Sequence, residues 1–112
     1  MVKKVNKNYF RILFEGKAQP HVIKMFSEGC HVCHDLEPDF KKLSKDLTKG
    51  YTFVKVDVDE EPEMAKLLAP DGVPTIYFYK DNKLSEITYP KDGYSYDYLK
   101  DSILKEINLE DK

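Results

Sequence analysis

The chain has 112 residues, 41% of them apolar and 34% charged, a size and balance that suit one folded domain and exclude a fully disordered segment. A formal charge of -2, from 18 basic and 20 acidic side chains, offers no electrostatic footprint for nucleic acid. No stretch approaches the roughly 20 apolar residues that a membrane-spanning helix needs, and residues 1–9 lack the apolar middle of a signal peptide. The chain as given therefore reads as cytoplasmic, although an exported mature form would look the same.

Near the start, Val5, Tyr9 and Leu13, with Phe10 and Phe14 beside them, recur at near-helical spacing and favour a helix over a strand. Residues 16–20 follow as a loop. Residues 21–26, with Val22, Ile23, Met25 and Phe26, form a short apolar run suited to a central strand, which Ser27, Glu28 and Gly29 end. From Cys30 to about Thr48, the side chains Val32, Leu36, Phe40, Leu43 and Leu47 fall three or four apart and predict a helix with one apolar face. Pro38 lies inside it, where the lost N–H predicts a kink.

After Gly50, residues 51–58 alternate as a strand, with Phe53, Lys55 and Asp57 opposing Val54, Val56 and Val58. Residues 59–68 open with acidic side chains, carry Pro62 in the first turn and group Met64, Leu67 and Leu68, which predicts a short helix. Residues 75–79 and 84–89 read as two further strands, and Lys80-Asp81-Asn82-Lys83 between them suits a tight hairpin. Tyr94, Tyr98, Ile103 and Ile107, reinforced by Leu99 and Leu104, mark a closing helix, and residues 108–112 are expected to fray. The order predicts an α/β fold: a central mixed sheet flanked by helices on both faces. One domain covers 1–112, with 1–19 a variable N-terminal segment, and no apolar helix is left over to demand a second copy.

Only two cysteines occur, and Cys30 and Cys33 stand in a Cys-x-x-Cys pattern. A loop that short gains little by being stapled, so the pair suits chemistry better than stability. A strand leads into Cys30 and a helix begins there, where free backbone N–H groups and the helix dipole favour a thiolate. His31 and His34 flank the pair and, when protonated, would favour it further. Cys30 is expected to be the exposed nucleophile and Cys33 the buried resolving thiol.

At this point the chain resembles the thioredoxin family. Cys30-His31-Val32-Cys33 is similar to its redox motif, Pro38 to the proline of its active-site helix, and Gly72-Val73-Pro74-Thr75 to its cis-proline loop. Lys55 and Asp57 fall in the strand where the family often carries a lysine and an acidic or amide residue. The resemblance spans about residues 20–107. It implies a protein disulfide oxidoreductase in which Cys30 attacks a substrate disulfide and Cys33 releases the mixed disulfide. It also implies a cis Val73–Pro74 bond, which leaves the Val73 backbone to pair with an extended substrate.

Several positions depart from the pattern. Gly29 replaces the usual tryptophan, His31-Val32 the usual Gly-Pro, and Pro90 stands near an expected groove glycine. Lys24 occupies the place of a buried acid; its simplest reading turns the amine to solvent, while a close amine would favour a thiolate. The centre calls for no cofactor and no metal, because the cysteines carry the electrons. Partners would be protein or small-molecule disulfides and an upstream reductase.

The same residues admit other uses. Cys30 to His34 satisfies the c-type haem pattern, in a chain whose elements are not mostly helical. Two cysteines and two histidines could hold zinc, but they are crowded into one turn. Tyr89, Tyr94, Tyr96 and Tyr98 group near the end and read mainly as packing. A non-catalytic binding module on the same fold is the remaining alternative. Whether the centre reduces, oxidises or isomerises is left open.

Overall fold

The structure, a computed structural model, describes residues 2–15, 19–47 and 50–110. In chain order the elements are β1 (Lys3–Lys4), α1 (Lys7–Glu15), β2 (His21–Phe26), α2 (His31–Asp46), β3 (Thr52–Asp57), α3 (Pro62–Leu68), β4 (Thr75–Lys80), β5 (Lys83–Ile87) and α4 (Tyr96–Glu110). Every residue of β2 is buried. Such a strand needs cover on both faces and a neighbour along each edge. It pairs in parallel with β3 and antiparallel with β4, and the sheet order is β1-β3-β2-β4-β5.

Strand alternation divides the core into two layers. On one face Val22, Phe53, Ile76 and Phe78 meet Leu36, Phe40 and Leu43 of α2 and Leu99 and Ile103 of α4. On the other, Ile23, Met25, Val54 and Val56 meet Phe10 and Leu13 of α1 and Met64 of α3. Each such side chain, fully buried, contributes ~1.5–3 kcal/mol of hydrophobic stabilisation. The mixed α/β architecture expected from the sequence is the one observed. Its central strand sits at the residues predicted, and the two-helix cover of each face brings α2 across β2.

The differences have physical causes. β1 was not anticipated: two lysines, both exposed, carry no apolar rhythm, and only pairing of Lys3 and Lys4 with Val54 and Lys55 makes them a strand. α3 starts at Pro62 rather than 59, because Asp57 organises a turn there. Its carboxylate accepts the Asp59 N–H at 2.9 Å, and its carbonyl accepts the N–H groups of Glu60 and Glu61. Asp57 is accordingly buried rather than solvated. Leu67 does not join Met64; it is 78% exposed. Pro38 lies inside α2 on its exposed side, and the helix continues to Asp46.

The hairpin turns on Asp81 and Asn82, both with positive φ (53° and 63°), the geometry of a two-residue turn whose twist matches the strands. The clustered tyrosines fasten the end of the sheet to α4. Tyr94 donates to the Ile87 carbonyl at 2.5 Å and accepts the Ile76 N–H, and Tyr98 donates to the Thr88 carbonyl. The backbone of α4 runs on through residues 108–110, where fraying was expected. The loop expected at 16–18, the helix end at Thr48, the Ile107 side chain and residues 111–112 lie outside the described residues.

Candidate active site

β2 ends at Phe26, and a turn hands the chain to α2. Cys30 N–H donates to the Ser27 carbonyl at 3.0 Å, and Gly29 N–H donates to the Ser27 hydroxyl. The hydroxyl in turn donates to Asp59. Cys30 thus becomes the N-cap of α2 in an extended conformation, and its sulfur accepts the Cys33 N–H at 3.1 Å. That contact places a backbone donor and the positive end of a helix on one sulfur, where a thiolate would form.

Cys30 and Cys33 are joined as a disulfide, with Cα atoms 5.2 Å apart. Their surroundings differ. Cys30 is half-buried at the surface, whereas Cys33 is only 2% exposed. The Val73–Pro74 bond is cis, as the loop's resemblance implied, and the Val73 carbonyl oxygen lies 3.8 Å from the Cys30 sulfur. Pro74 is buried beneath it.

A groove of about 270 Å³ opens on this side, with Val32, Pro74, Tyr89 and Gly93 in its walls and Asp35 and Asp92 among its polar residues. Val32 was expected on the apolar face of α2; it is 48% exposed, at the mouth of this groove. The glycine bordering the groove is Gly93, not the Pro90 position that sequence reasoning singled out. It holds φ at +85°, and a Cβ there would come 3.2 Å from the Tyr89 hydroxyl. Tyr89 and Gly93 were missed as groove residues because their contact depends on the turn between β5 and α4.

Behind the disulfide lies a second cavity of about 190 Å³, lined by Lys24, Phe26, Glu28, Cys33, His34, Glu37 and Lys55. Lys24 does not turn to solvent. It is 2% exposed, and its amine lies 5.1 Å from the Phe40 ring centre and 5.8 Å from that of Phe26. The alternation of β2 points Lys24 under α2, so its stem runs inward among aromatic faces. Burial pushes the amine down to about 8; Lys55 and Lys41 act the same way, and Glu37 opposes them.

Glu37 is bonded instead to Lys55, carboxylate to amine at 3.0 Å. That hydrogen bond holds the Glu37 carboxyl below its usual range, against a smaller opposing effect of burial. Glu37 escaped the sequence reading, though it follows Cys33 by one helical turn and so shares its face. His34 sits at the cavity mouth with Nε2 at 2.6 Å from the Glu28 carbonyl oxygen. A carbonyl only accepts, so this nitrogen carries the hydrogen. His31 is exposed. The structure therefore gathers Cys30, Cys33, Val73 and Pro74 at one surface, with Lys24, His34, Glu37 and Lys55 behind.

Among the described residues, no three His, Cys, Asp or Glu side chains gather as a metal-binding set, and no helix is long and apolar enough to cross a membrane.

Comparison with known proteins agrees with this geometry. The family model described as Thioredoxin matches residues 1–105. The chloroplastic thioredoxin-like protein CITRX of rice, Oryza sativa, is 30% identical over 84 residues, which cover 74% of this chain and 44% of that protein. The chain thus spans less than half the length of that relative. Mitochondrial thioredoxin 3 of Saccharomyces cerevisiae superposes with a TM-score of 0.78 at 29% identity, covering 93% of this chain and 94% of that one. Thioredoxin f from spinach chloroplast gives the same TM-score, 0.78, at 31% identity over 93% of this chain and 84% of its own. A disulfide-forming cysteine pair at the helix N-terminus of this fold supports thiol–disulfide exchange. By its family match, its fold and its redox pair, the chain belongs to the thioredoxin family.

Proposed function

We propose that this chain is a thiol–disulfide oxidoreductase exchanging electrons with protein or small-molecule disulfides through Cys30 and Cys33. The observation that carries this reading is the asymmetry of the pair: a half-exposed Cys30 at a helix N-cap and a buried Cys33 behind it. Reduced Cys30 attacks a substrate disulfide, one substrate sulfur leaves, and a mixed disulfide forms. Cys33 then attacks the Cys30 sulfur, the second substrate thiol leaves, and the pair closes as a disulfide. Two electrons pass to the substrate without a cofactor. An upstream reductase or dithiol partner restores the pair.

Neighbouring residues support the same chemistry. His31 and His34 add positive charge beside the first turn when protonated, favouring the thiolate. Val32 and Pro74 give an extended substrate an apolar wall, and the Val73 backbone gives it a main-chain partner. In this reading residues 1–112 act as one domain, in the cytoplasm, on disulfide substrates rather than nucleic acid.

The test is the equilibrium reduction potential of Cys30–Cys33 at pH 7 in defined glutathione mixtures with mass-resolved thiol trapping. A value near ~-270 mV assigns a reducing role, and one near ~-120 mV an oxidising role. Cys33→Ser should accumulate a mixed disulfide on Cys30, and Cys30→Ser should abolish exchange. A pair that forms no reversible intramolecular disulfide overturns the proposal.

A further inference from the structure

The groove beside Cys30 carries a charge pattern that exchange chemistry alone does not call for. Its lining includes three carboxylates, Asp35 and Asp39 from α2 and Asp92 from the turn before α4, and among the described residues no basic side chain lines it. Asp35 and Asp39 stand four apart on one helix, a like-charge spacing that destabilises α2. The ion pairs among the described residues join Lys4 to Glu60, Lys7 to Glu63 and Lys55 to Glu37, and none of them is at this groove. His34, next to Asp35, is bonded to the Glu28 carbonyl, and Lys91, next to Asp92, is exposed and outside the lining.

The rest of the groove fits a particular kind of cation. Val32 and Tyr89, both nearly half exposed, stand in its walls with Pro74. The Tyr89 ring meets Tyr94 edge-on at 5.0 Å, which steadies it as a wall. The three carboxylates do not converge on a point, since no three ligating side chains among the described residues gather as a metal-binding set. A metal ion needs that convergence. A long basic side chain needs an apolar wall for its stem and a carboxylate for its head, and an arginine also stacks on an aromatic face.

We propose that Asp35, Asp39 and Asp92 select protein substrates with an arginine or lysine close to the attacked cysteine, the basic side chain lying in this groove. The proposal rests on the exchange function argued above and names the substrate class at the same centre. Pro74 lines the groove and follows Val73, whose carbonyl oxygen is 3.8 Å from the Cys30 sulfur. Extended chain advances about 3.3 Å per residue, so a polypeptide bonded to Cys30 there brings its next few side chains over the groove. An acidic side chain meets like charge at the same place and is disfavoured. The formal charge of -2 for the whole chain gives little long-range steering, so the preference arises at the groove itself.

Stopped-flow reaction of the reduced full chain with cysteine peptides capped by thionitrobenzoate tests this. Cys30 attacks the peptide sulfur, and coloured thionitrobenzoate leaves with the electron pair. The peptides differ only in the residues flanking cysteine, which are arginine, glutamine or glutamate, and each rate is divided by that of dithiothreitol with the same peptide. At low ionic strength the arginine peptide should react at least ~10-fold faster than the glutamate peptide, and the ratio should shrink toward one in ~0.5 M salt. The triple variant Asp35→Asn, Asp39→Asn, Asp92→Asn should bring the ratio to within ~3-fold of one. The triple variant Glu15→Gln, Glu63→Gln, Asp101→Asn makes the same charge change outside the groove and should keep the wild-type ratio. A wild-type ratio near one, a ratio insensitive to salt, or an equal change in both variants overturns the proposal. The first two are read on the wild type, so they decide the matter even where a variant fails to fold. If Cys30→Ser releases thionitrobenzoate as fast as the wild type, the exchange reading falls, and this one with it.

Discussion

Replacing Lys24 by methionine should make the oxidised protein more stable at neutral pH, and the gain should vanish in alkali. Unfolded, the amine keeps its proton up to about 10.5; folded, burial brings that value to about 8. Below pH 8 both states are charged, and the folded one bears the full cost of an ammonium only partly reached by water. The gap between those two values, at ~1.36 kcal/mol for each pH unit, bounds the cost at ~3 kcal/mol, and screening through the open cavity beside the amine brings it to ~1–2 kcal/mol. Between 8 and 10.5 the unfolded chain binds more protons than the native one, so wild-type stability climbs with pH. The methionine variant lacks this slope, and the difference between the two proteins closes across that window. Urea unfolding of both disulfide forms at several pH values from about 6.5 to 10.5 measures it, with the cysteines silent because they are bonded. A variant no more stable than wild type at pH 6.5, or a difference that does not change with pH, refutes the reasoning.

Other expectations follow from the groove, the sheet and its edges. Gly93→Ala places a Cβ 3.2 Å from the Tyr89 hydroxyl at a φ of +85°. It should cost ~1–2 kcal/mol in denaturant unfolding, and an unchanged midpoint would contradict the crowding argument. Tyr94→Phe removes both the donor to Ile87 and the acceptor for Ile76. A loss of ~1–3 kcal/mol and faster amide exchange at Ile76 are expected. Burial lowers the His21 pKa, with a smaller opposing effect from its bond to the Gln19 carbonyl. Stability should therefore fall as pH drops below about 6.5, and a His21→Gln variant should show a shallower fall. A double-mutant cycle on Glu37 and Lys55, both partly exposed, should return a coupling of ~1 kcal/mol or less, weakened by salt.

The residues that spoke plainly in the sequence were those whose surroundings are uniform. β2 was placed correctly because its apolar side chains form a short run between turn residues, and both faces of it are buried. The cysteine pair was found by spacing, and its setting by the strand before it and the helical rhythm after it. Lys24 was placed correctly along the chain but wrongly in space. Residue type suggested an amine reaching water, while the ring faces of Phe26 and Phe40, distant in sequence, set the opposite course. Glu37, Tyr89 and Gly93 act through contacts across elements, which no local pattern encodes. β1 exists only because β3 offers it an edge.

The placement of β2 also bears on where the molecule should open last. With hydrogen-bonded neighbours on both sides, its amides can meet solvent only if β3 or β4 departs. Those partners arrive from well separated parts of the chain, so each departure undoes a long-range closure rather than a local fray. Amide exchange in β2 should consequently track global unfolding. The short turn 27–29, which carries Cys30, hangs directly from that most persistent strand. Substrate can therefore press on the redox turn while the foundation beneath it stays still.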